Sequence, residues 1–256
     1  MTVENGIQPI FDALGLPPEA RVDARVPKKL LVEQGVPTPA DKRAIQEGID
    51  ELQWLAVCKP TTIGVPAFVD DVREYLEIAV VACAFRPGAK AARLIELIHR
   101  AIPYPVMLVT SDDDGVSLSV AHKRHAENRA GKVVIERVVL TIVFPPKLEA
   151  PEHLRFLEAL SLARQPRLDL CTLYDGWLTR IEALNAARLN GAFLATDDAA
   201  SIVRRRNALE AYFLLTREIT GLRVRVAREK QLNRRVDLNL EIQRREAELA
   251  AHKENL

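Results

Sequence analysis

The sequence predicts an α/β protein of the α+β type, with an N-terminal, mainly antiparallel sheet and covering helices, followed by an all-helical C-terminal module that ends in a long amphipathic helix. Two observations support this. Short apolar segments rich in β-forming residues are separated by turn signals up to about residue 144, whereas apolar residues recur with helical periodicity from residue 149 onward. We therefore place an α/β domain over residues 1–147 and a helical module over residues 148–256.

The first forty residues are rich in proline, which allows only short helices over residues 8–14 and 28–34. Thr38 or Asp41 is expected to cap a helix through DKRAIQEGIDE. The following LQWLAVC is a short apolar segment that predicts a strand ending at Lys59.

Residues 75–85, YLEIAVVACAF, are nearly all apolar and predict a central strand that is covered on both faces. AKAARLIELIHRAI then predicts an amphipathic helix, and PVMLVTS, VSLSVAH and KVVIERVVLTIVF predict three further strands. DDDG is a hairpin turn signal between the first two of these. We interpret the series as an antiparallel meander with an inserted helix, and not as a βαβ series.

Four helical segments follow, and Gly191 and Gly221 stand where two of them are expected to end. The last helix is partly coiled-coil-like. Its periodicity predicts two rows of apolar residues that face inward. The first row contains Leu238 and Ile242, and the second contains Leu232, Val236 and Leu240. The polar residues at two heptad positions, Arg245 and His252, argue against a long autonomous coiled coil.

Composition excludes several classes of protein. Hydrophobic residues make up 48% and charged residues 28%, which is a globular balance, and no apolar run has the length of a membrane-spanning helix. The chain begins without the basic and apolar blocks of a signal peptide, so we expect a cytoplasmic location and no membrane partner. Its three cysteines match neither a disulfide framework nor a zinc motif, and we expect them to pack as small apolar residues.

Catalytic motifs are sparse. Asp70 or Asp71 followed by Glu77 has the approximate layout of a restriction-endonuclease-like Mg²⁺ site, but Glu77 is not followed by the lysine that such a site requires. The acids of DDDG together with His122 and His125 could bind a metal, although a solvated hairpin explains these residues better. Phosphate-binding, dinucleotide-binding and hydrolase motifs are missing, so the sequence indicates no cofactor, no metal site and no small-molecule substrate.

Basic residues are concentrated toward the C-terminus, and most of them are arginines, which bind phosphates and carboxylates with the same bidentate geometry. The sequence therefore predicts a surface that binds nucleic acid or an acidic partner. The alternative is a basic face that only solvates the helices. The residues that we assign to this surface are Arg204, Arg205, Arg206, Arg228, Arg234 and Arg235.

Five segments in a fixed order give the chain a family resemblance over almost its whole length. VPKKL, DKRAIQEGIDELQWLAVCKPTTIGV, EIAVVACAF, AIPYPVMLV and EKQLNRRVDLNLEIQRREAEL together resemble the bacterial domain-of-unknown-function family 4391. The resemblance implies a context, since the family is associated with restriction-like phage-defence gene clusters that encode a helicase and a DNA methyltransferase. The chain departs from the expected pattern after Glu77, where the strand ends in Cys-Ala-Phe in place of a Leu-Lys-like ending.

Three functional hypotheses follow. In the first, the protein is a non-enzymatic accessory or scaffold subunit of a DNA-targeting anti-phage complex. It docks a helicase or another defence-system protein, and DNA is a further candidate partner. The second is a divergent Mg²⁺-dependent restriction-like nuclease that uses Asp70 or Asp71 with Glu77. The third is a direct nucleic-acid-binding protein that contacts phosphates through its C-terminal arginines.

Overall fold

The computed structural model describes residues 4–35, 38–126, 133–141, 144, 150–254 and 256. The chain divides into two compact units, unit 1 over Met1–Ile181 and unit 2 over Glu182–Leu256. Unit 1 contains the sheet, and unit 2 is helical. The predicted fold class, a mainly antiparallel sheet followed by a helical region, is confirmed. The division into domains 1–147 and 148–256 stays a prediction.

Among the described residues, six strands form the main sheet, in the order β1-β2-β5-β6-β7-β8. They are β1 (Arg21–Arg25), β2 (Ile49–Cys58), β5 (Ile78–Phe85), β6 (Val106–Asp112), β7 (Gly115–His125) and β8 (Val133–Leu140). A separate two-stranded hairpin consists of β3 (Phe68–Val69) and β4 (Glu74–Tyr75). All neighbours in the main sheet are antiparallel except β5 and β6.

The parallel pair corrects one expectation from the sequence. β5 and β6 are joined through α5 (Ala91–Ala101), so β5-α5-β6 is a βαβ crossover within the otherwise antiparallel sheet. The exclusion of a βαβ unit was wrong here, because parallel neighbours require a crossover and α5 forms it. The antiparallel meander predicted for the three strands after this helix is confirmed. The amphipathic pattern of α5 was predicted, and Leu94, Leu97 and Ile98 are buried against the sheet.

The β6–β7 hairpin follows the turn chemistry of DDDG. Asp112 Oδ1 accepts hydrogen bonds from the backbone N–H groups of Asp114, at 3.0 Å, and Gly115, at 3.2 Å. Gly115 has a φ of 139°, which lies in the region that favours glycine. These three acids therefore belong to a turn, as the sequence predicted.

Short helices cover unit 1. They are α1 (Glu4–Ala13), α2 (Lys28–Gly35), α3 (Pro39–Gly48), α4 (Pro60–Ile63) and α6 (Pro151–Leu160), together with the greater part of α7 (Leu170–Asn190). Thr38 caps α3 as predicted, because its hydroxyl accepts a hydrogen bond from the backbone N–H of Asp41. One core contains side chains from α2, α3, α5, β2, β5 and β6.

α7 is attached to the sheet through Tyr174, which is fully buried. Its hydroxyl donates to the carbonyl of Val106 at 2.7 Å and accepts from the backbone N–H of Ala121 at 2.8 Å. Trp177, one turn further on, donates from Nε1 to the carbonyl of Leu160 at 2.8 Å. Both residues thus bury a large ring while satisfying their polar groups.

Unit 2 contains the end of α7, then α8 (Ala199–Arg228) and α9 (Leu232–Glu254). α8 and α9 pack together around Ile219, Leu222 and Ile242. Gly191 follows α7 with a φ of 80°, as predicted for a residue that ends a helix. Gly221 does not end a helix, because it lies inside α8, where continued packing on α9 outweighs the low helix propensity of glycine.

β1 is an edge strand that the sequence analysis missed. All five of its residues are exposed, and its pairing with β2 shifts register between Arg21 and Ala24. Asp23, inside this irregularity, has a positive φ of 48°. The strand therefore carries a bulge and buries none of its side chains.

Candidate functional site

Asp70 and Asp71 lie in the loop of the β3–β4 hairpin, and both are exposed. Asp70 Oδ1 accepts hydrogen bonds from the backbone N–H groups of Arg73, at 2.5 Å, and Val72, at 2.8 Å. These two bonds hold the pKa of Asp70 below its ordinary value. The Asp70 carboxylate therefore stabilises the turn.

Glu77 lies in a cleft at one end of the main sheet. Its carboxylate forms an ion pair with Lys59 at 3.2 Å. The cleft has a volume of about 390 Å³, and Glu74, Tyr104, Lys123 and His125 contribute to its lining. Asp70 and Asp71 do not line it. The structure thus brings Glu77 together with a lysine from β7, and does not bring it together with the two aspartates.

Lys123 is almost completely buried in the wall of this cleft. Its Nζ donates hydrogen bonds to the carbonyls of Ile102 and Tyr104, just after the end of α5. A positive charge is favourable at the C-terminus of a helix, so Lys123 acts as a cap. Burial lowers the pKa of this lysine to about 7.

Within the described ranges, no group of three or more His, Cys, Asp or Glu side chains is placed to bind a metal ion. The hairpin acids at 112–114 therefore make no such group with His122 or His125 in that part of the chain. The nuclease interpretation, which uses Asp70 or Asp71 with Glu77, stays a hypothesis. Mg²⁺-dependent nicking of DNA that disappears in Glu77→Ala would support it.

A hydrogen-bonded chain of three side chains, which no sequence motif indicated, connects the β3–β4 hairpin, β7 and α7. Tyr75 Oη lies 2.5 Å from His122 Nδ1, and His122 Nε2 lies 3.3 Å from Asp175 Oδ1. Tyr75 is fully buried, and burial raises the pKa of its phenol. The phenol is thus closed to solvent, and the three residues link separate elements of unit 1.

All three cysteines remain protonated at neutral pH. Burial raises the pKa of Cys171 to about 11 and that of Cys58 to about 12, and it also raises the pKa of Cys83. Cys58 and Cys83 are fully buried in unit 1. Since the thiolate is the nucleophilic form, these cysteines act as small apolar residues at pH 7.

Three of the predicted binding arginines contribute to the internal structure of unit 2. Arg205 is buried and donates to the carbonyl of Leu194 at 3.0 Å. Arg206 forms an ion pair at 2.9 Å with Glu182, whose side chain is only 2% exposed. Arg204 is exposed and donates to Ser201 Oγ at 2.7 Å.

The other three predicted arginines are available to a partner. Arg228, Arg234 and Arg235 are exposed, and none of them forms an ion pair with another residue that the structure describes. Arg228 is the last residue of α8, while Arg234 and Arg235 lie in the first turn of α9. They therefore flank the short connection between these two helices.

The apolar rows of α9 are divided between core and surface. Ile242 is buried, and Leu238 packs beside it against α8, as predicted. Leu232, Val236 and Leu240 are 71%, 50% and 49% exposed, so the prediction that they face inward was wrong. α8 provides only one neighbouring surface, and the first row occupies it. We call Leu232, Val236 and Leu240 the apolar α9 row.

Comparisons with known proteins identify the family of this chain. No helix among the described residues has both the length and the apolar character required to cross a membrane. No curated protein matches the chain, and no solved structure matches it. The family model described as "Domain of unknown function (DUF4391)" matches residues 14–249, nearly the whole chain. The protein therefore belongs to the DUF4391 family.

Proposed function

We propose that this protein is a non-enzymatic accessory or scaffold subunit of a bacterial, DNA-targeting anti-phage complex, and that unit 2 docks a helicase-type partner. The apolar α9 row is the observation that carries the proposal. Its three aliphatic side chains are each at least 49% exposed on one helix, at steps of four residues. A continuous apolar row on a helix surface is typical of a site that binds another protein.

Charge around the row supports the same function. Arg235, one turn after Leu232, is exposed at the edge of the row. Arg234 is also exposed, but it follows Leu232 by two positions and lies on the far side of the helix. Arginine is enriched at protein interfaces, where its fork binds carboxylates of the partner while its stem covers apolar surface. A partner surface with an apolar centre and acidic residues at its edge would match this end of α9.

Co-expression with the helicase of the same gene cluster tests the proposal. The test variant is the double substitution Val236→Ser with Leu240→Ser, at residues that are 50% and 49% exposed. The matched control is Leu30→Ser with Leu154→Ser in unit 1, where the residues are 46% and 50% exposed. Both variants remove similar amounts of exposed apolar surface from helices, so both are expected to fold.

We expect the helicase to co-purify with the wild-type chain and with the control, and to be lost from the α9 variant. Burial of two aliphatic side chains contributes about 2 to 4 kcal/mol to an interface, which corresponds to a 30-fold or greater loss of affinity. Failure of every neighbouring gene product to co-purify with the wild-type chain would refute the proposed function. Equal retention by the two variants would refute the role of the α9 row.

The exposed arginines favour direct nucleic-acid binding as a second candidate. Each phosphate that a protein neutralises steepens the log–log dependence of affinity on salt by about 0.9 on duplex DNA. Arg234→Gln with Arg235→Gln should therefore reduce this slope by about 2, while Arg43→Gln with Arg86→Gln in unit 1 should leave it unchanged. An affinity for duplex DNA that does not change with salt would exclude this function.

A further inference from the structure

α8 carries two rows of residues with heptad spacing, on different faces. The first row faces the core of unit 2 and includes Leu215, Ile219 and Leu222. The second row is exposed at every position and advances in alternating steps of four and three residues. We call it the α8 seam, and its members are Val203, Asn207, Glu210, Leu214, Arg217, Gly221, Val224 and Arg228. Such spacing is the pattern of a coiled-coil interface.

The α8 seam combines apolar, small and charged positions. Leu214 and Val224 are 58% and 47% exposed. Apart from its chain neighbours and the backbone of its own helix, a Cβ atom placed on Gly221 would have no atom within 4 Å, so the space beside this glycine is open. Arg217 and Arg228 form no ion pair with other residues in the described part of the chain. The seam therefore presents aliphatic side chains, a gap and arginine charges in a fixed order.

This order is complementary to itself when two copies of α8 run antiparallel. In antiparallel coiled coils the two heptad core positions, a and d, face each other across a two-fold axis. With the axis between Arg217 and Gly221, each Arg217 lies across the gap at the other copy's Gly221. The next layers then pair Leu214 with Val224. The outer layers pair Glu210 with Arg228.

We propose that the α8 seam is the interface of an antiparallel homodimer, in which each layer from Glu210 to Arg228 is filled by the complementary residue of a second copy. This dimer is independent of the proposed function. A parallel arrangement would place Arg217, Arg228 and Glu210 each against its own copy, and like charges in register are unfavourable. Polar residues at core positions fix register and orientation in coiled coils, and the arginine layers do so here.

Charge reversal tests the outer layers, with sedimentation of the full-length chain over a range of concentrations as the measurement. Glu210→Arg and Arg228→Glu should each weaken association by on the order of tenfold, because the symmetry places every substitution in the dimer twice. The double variant reverses each pair and should restore the dimer. Association with an unrelated helix would not be restored by the double variant, so restoration is specific to the antiparallel homodimer. Failure of the double variant to restore dimerisation would refute the proposal.

Gly221 provides a test in which stability and association change in opposite directions. Gly221→Leu replaces a poor helix former at a position with open space, so the thermal midpoint of the isolated chain should rise. In the dimer the new side chain would collide with Arg217 of the second copy, and dimerisation should be lost. Unchanged dimerisation in this variant would contradict the close approach at Gly221.

Disulfide cross-linking determines the orientation. Leu214→Cys combined with Val224→Cys should give a covalent dimer under mild oxidation, whereas either single substitution should not. Covalent dimers of the single variants would indicate a parallel pair and would overturn the proposal. The wild-type chain is the control for Cys171, which is partly exposed. A wild-type chain that stays monomeric up to about 1 mM would also overturn it.

Discussion

Acidification should destabilise unit 1 through one buried histidine. His99 on α5 is fully buried, and its Nε2 lies 3.0 Å from Ser119 Oγ. Its Nδ1 has no hydrogen-bond partner among the described residues. Burial, and secondarily the nearby charge of Lys123, lowers the pKa of His99 from 6.5 to about 3. The native chain therefore keeps this imidazole neutral at pH values where the unfolded chain protonates it.

The direction and size of the effect follow from proton linkage. Between pH 6.5 and pH 3 the unfolded chain binds more protons than the native chain, so the free energy of unfolding falls as the pH falls. Each pH unit well inside this window contributes about 1.4 kcal/mol. From pH 6.5 to pH 4.5, His99 alone should lower the free energy of unfolding by about 2 kcal/mol.

Urea unfolding followed by tryptophan fluorescence measures this change. Both tryptophans, Trp54 and Trp177, lie in unit 1, so the signal reports on the unit that contains His99. His99→Gln keeps an amide near Ser119 but does not titrate in this range. The difference in the free energy of unfolding between wild type and variant cancels the contribution of the other titrating side chains. Parallel pH profiles for the two proteins would refute the assignment of the effect to His99.

Three further outcomes are expected. Burial lowers the pKa of Lys123 from 10.5 to about 7, so above pH 7 the unfolded chain binds more protons than the native chain. The free energy of unfolding should therefore rise by about 1.5 kcal/mol from pH 7 to pH 8.5. Lys123→Met should abolish this rise in the same urea assay. Tyr174→Phe leaves the buried groups that its hydroxyl bridges without that partner, and should lower the free energy of unfolding of unit 1 by about 2 kcal/mol at pH 7. Arg206→Gln removes a charge partner of the buried Glu182 and should lower the thermal midpoint of the helical signal by roughly 5 °C. The control Arg234→Gln, at an exposed position, should leave the midpoint unchanged. Equal midpoints for these two variants would contradict the structural role of Arg206.

Elements with a strong local pattern were predictable from the sequence. The strand β5 and the helix α5 could be predicted from local residue order. Burial on both faces gives β5 a continuous apolar run, and burial on one face gives α5 an amphipathic pattern. Pairing is not local. The segments on either side of β5 and β6 form antiparallel pairs, and local residue order does not distinguish these from a parallel pair. The sheet order of the folded chain shows that β5 and β6 are parallel.

The candidate sites depended still more on tertiary structure. Tyr75 and His122 are 47 positions apart, and His122 and Asp175 are 53 apart, so no spacing rule connects them. The lysine in the cleft of Glu77 comes from β7, far from the position after Glu77 where a sequence motif would place it. Periodicity identified two apolar rows on α9, but the number of neighbouring helices decides how many rows are buried, and the sequence does not state that number.

The irregular first strand also has a consequence for how copies of this chain can meet. β1 ends the main sheet, and every residue on it is exposed. Its side chains alternate in charge at Arg21, Asp23 and Arg25, and its backbone is bent at the register shift. A bent, charged edge strand cannot pair with a straight strand from another molecule, so this edge of the sheet is protected from edge-to-edge aggregation. Contacts between molecules are thereby directed away from this edge.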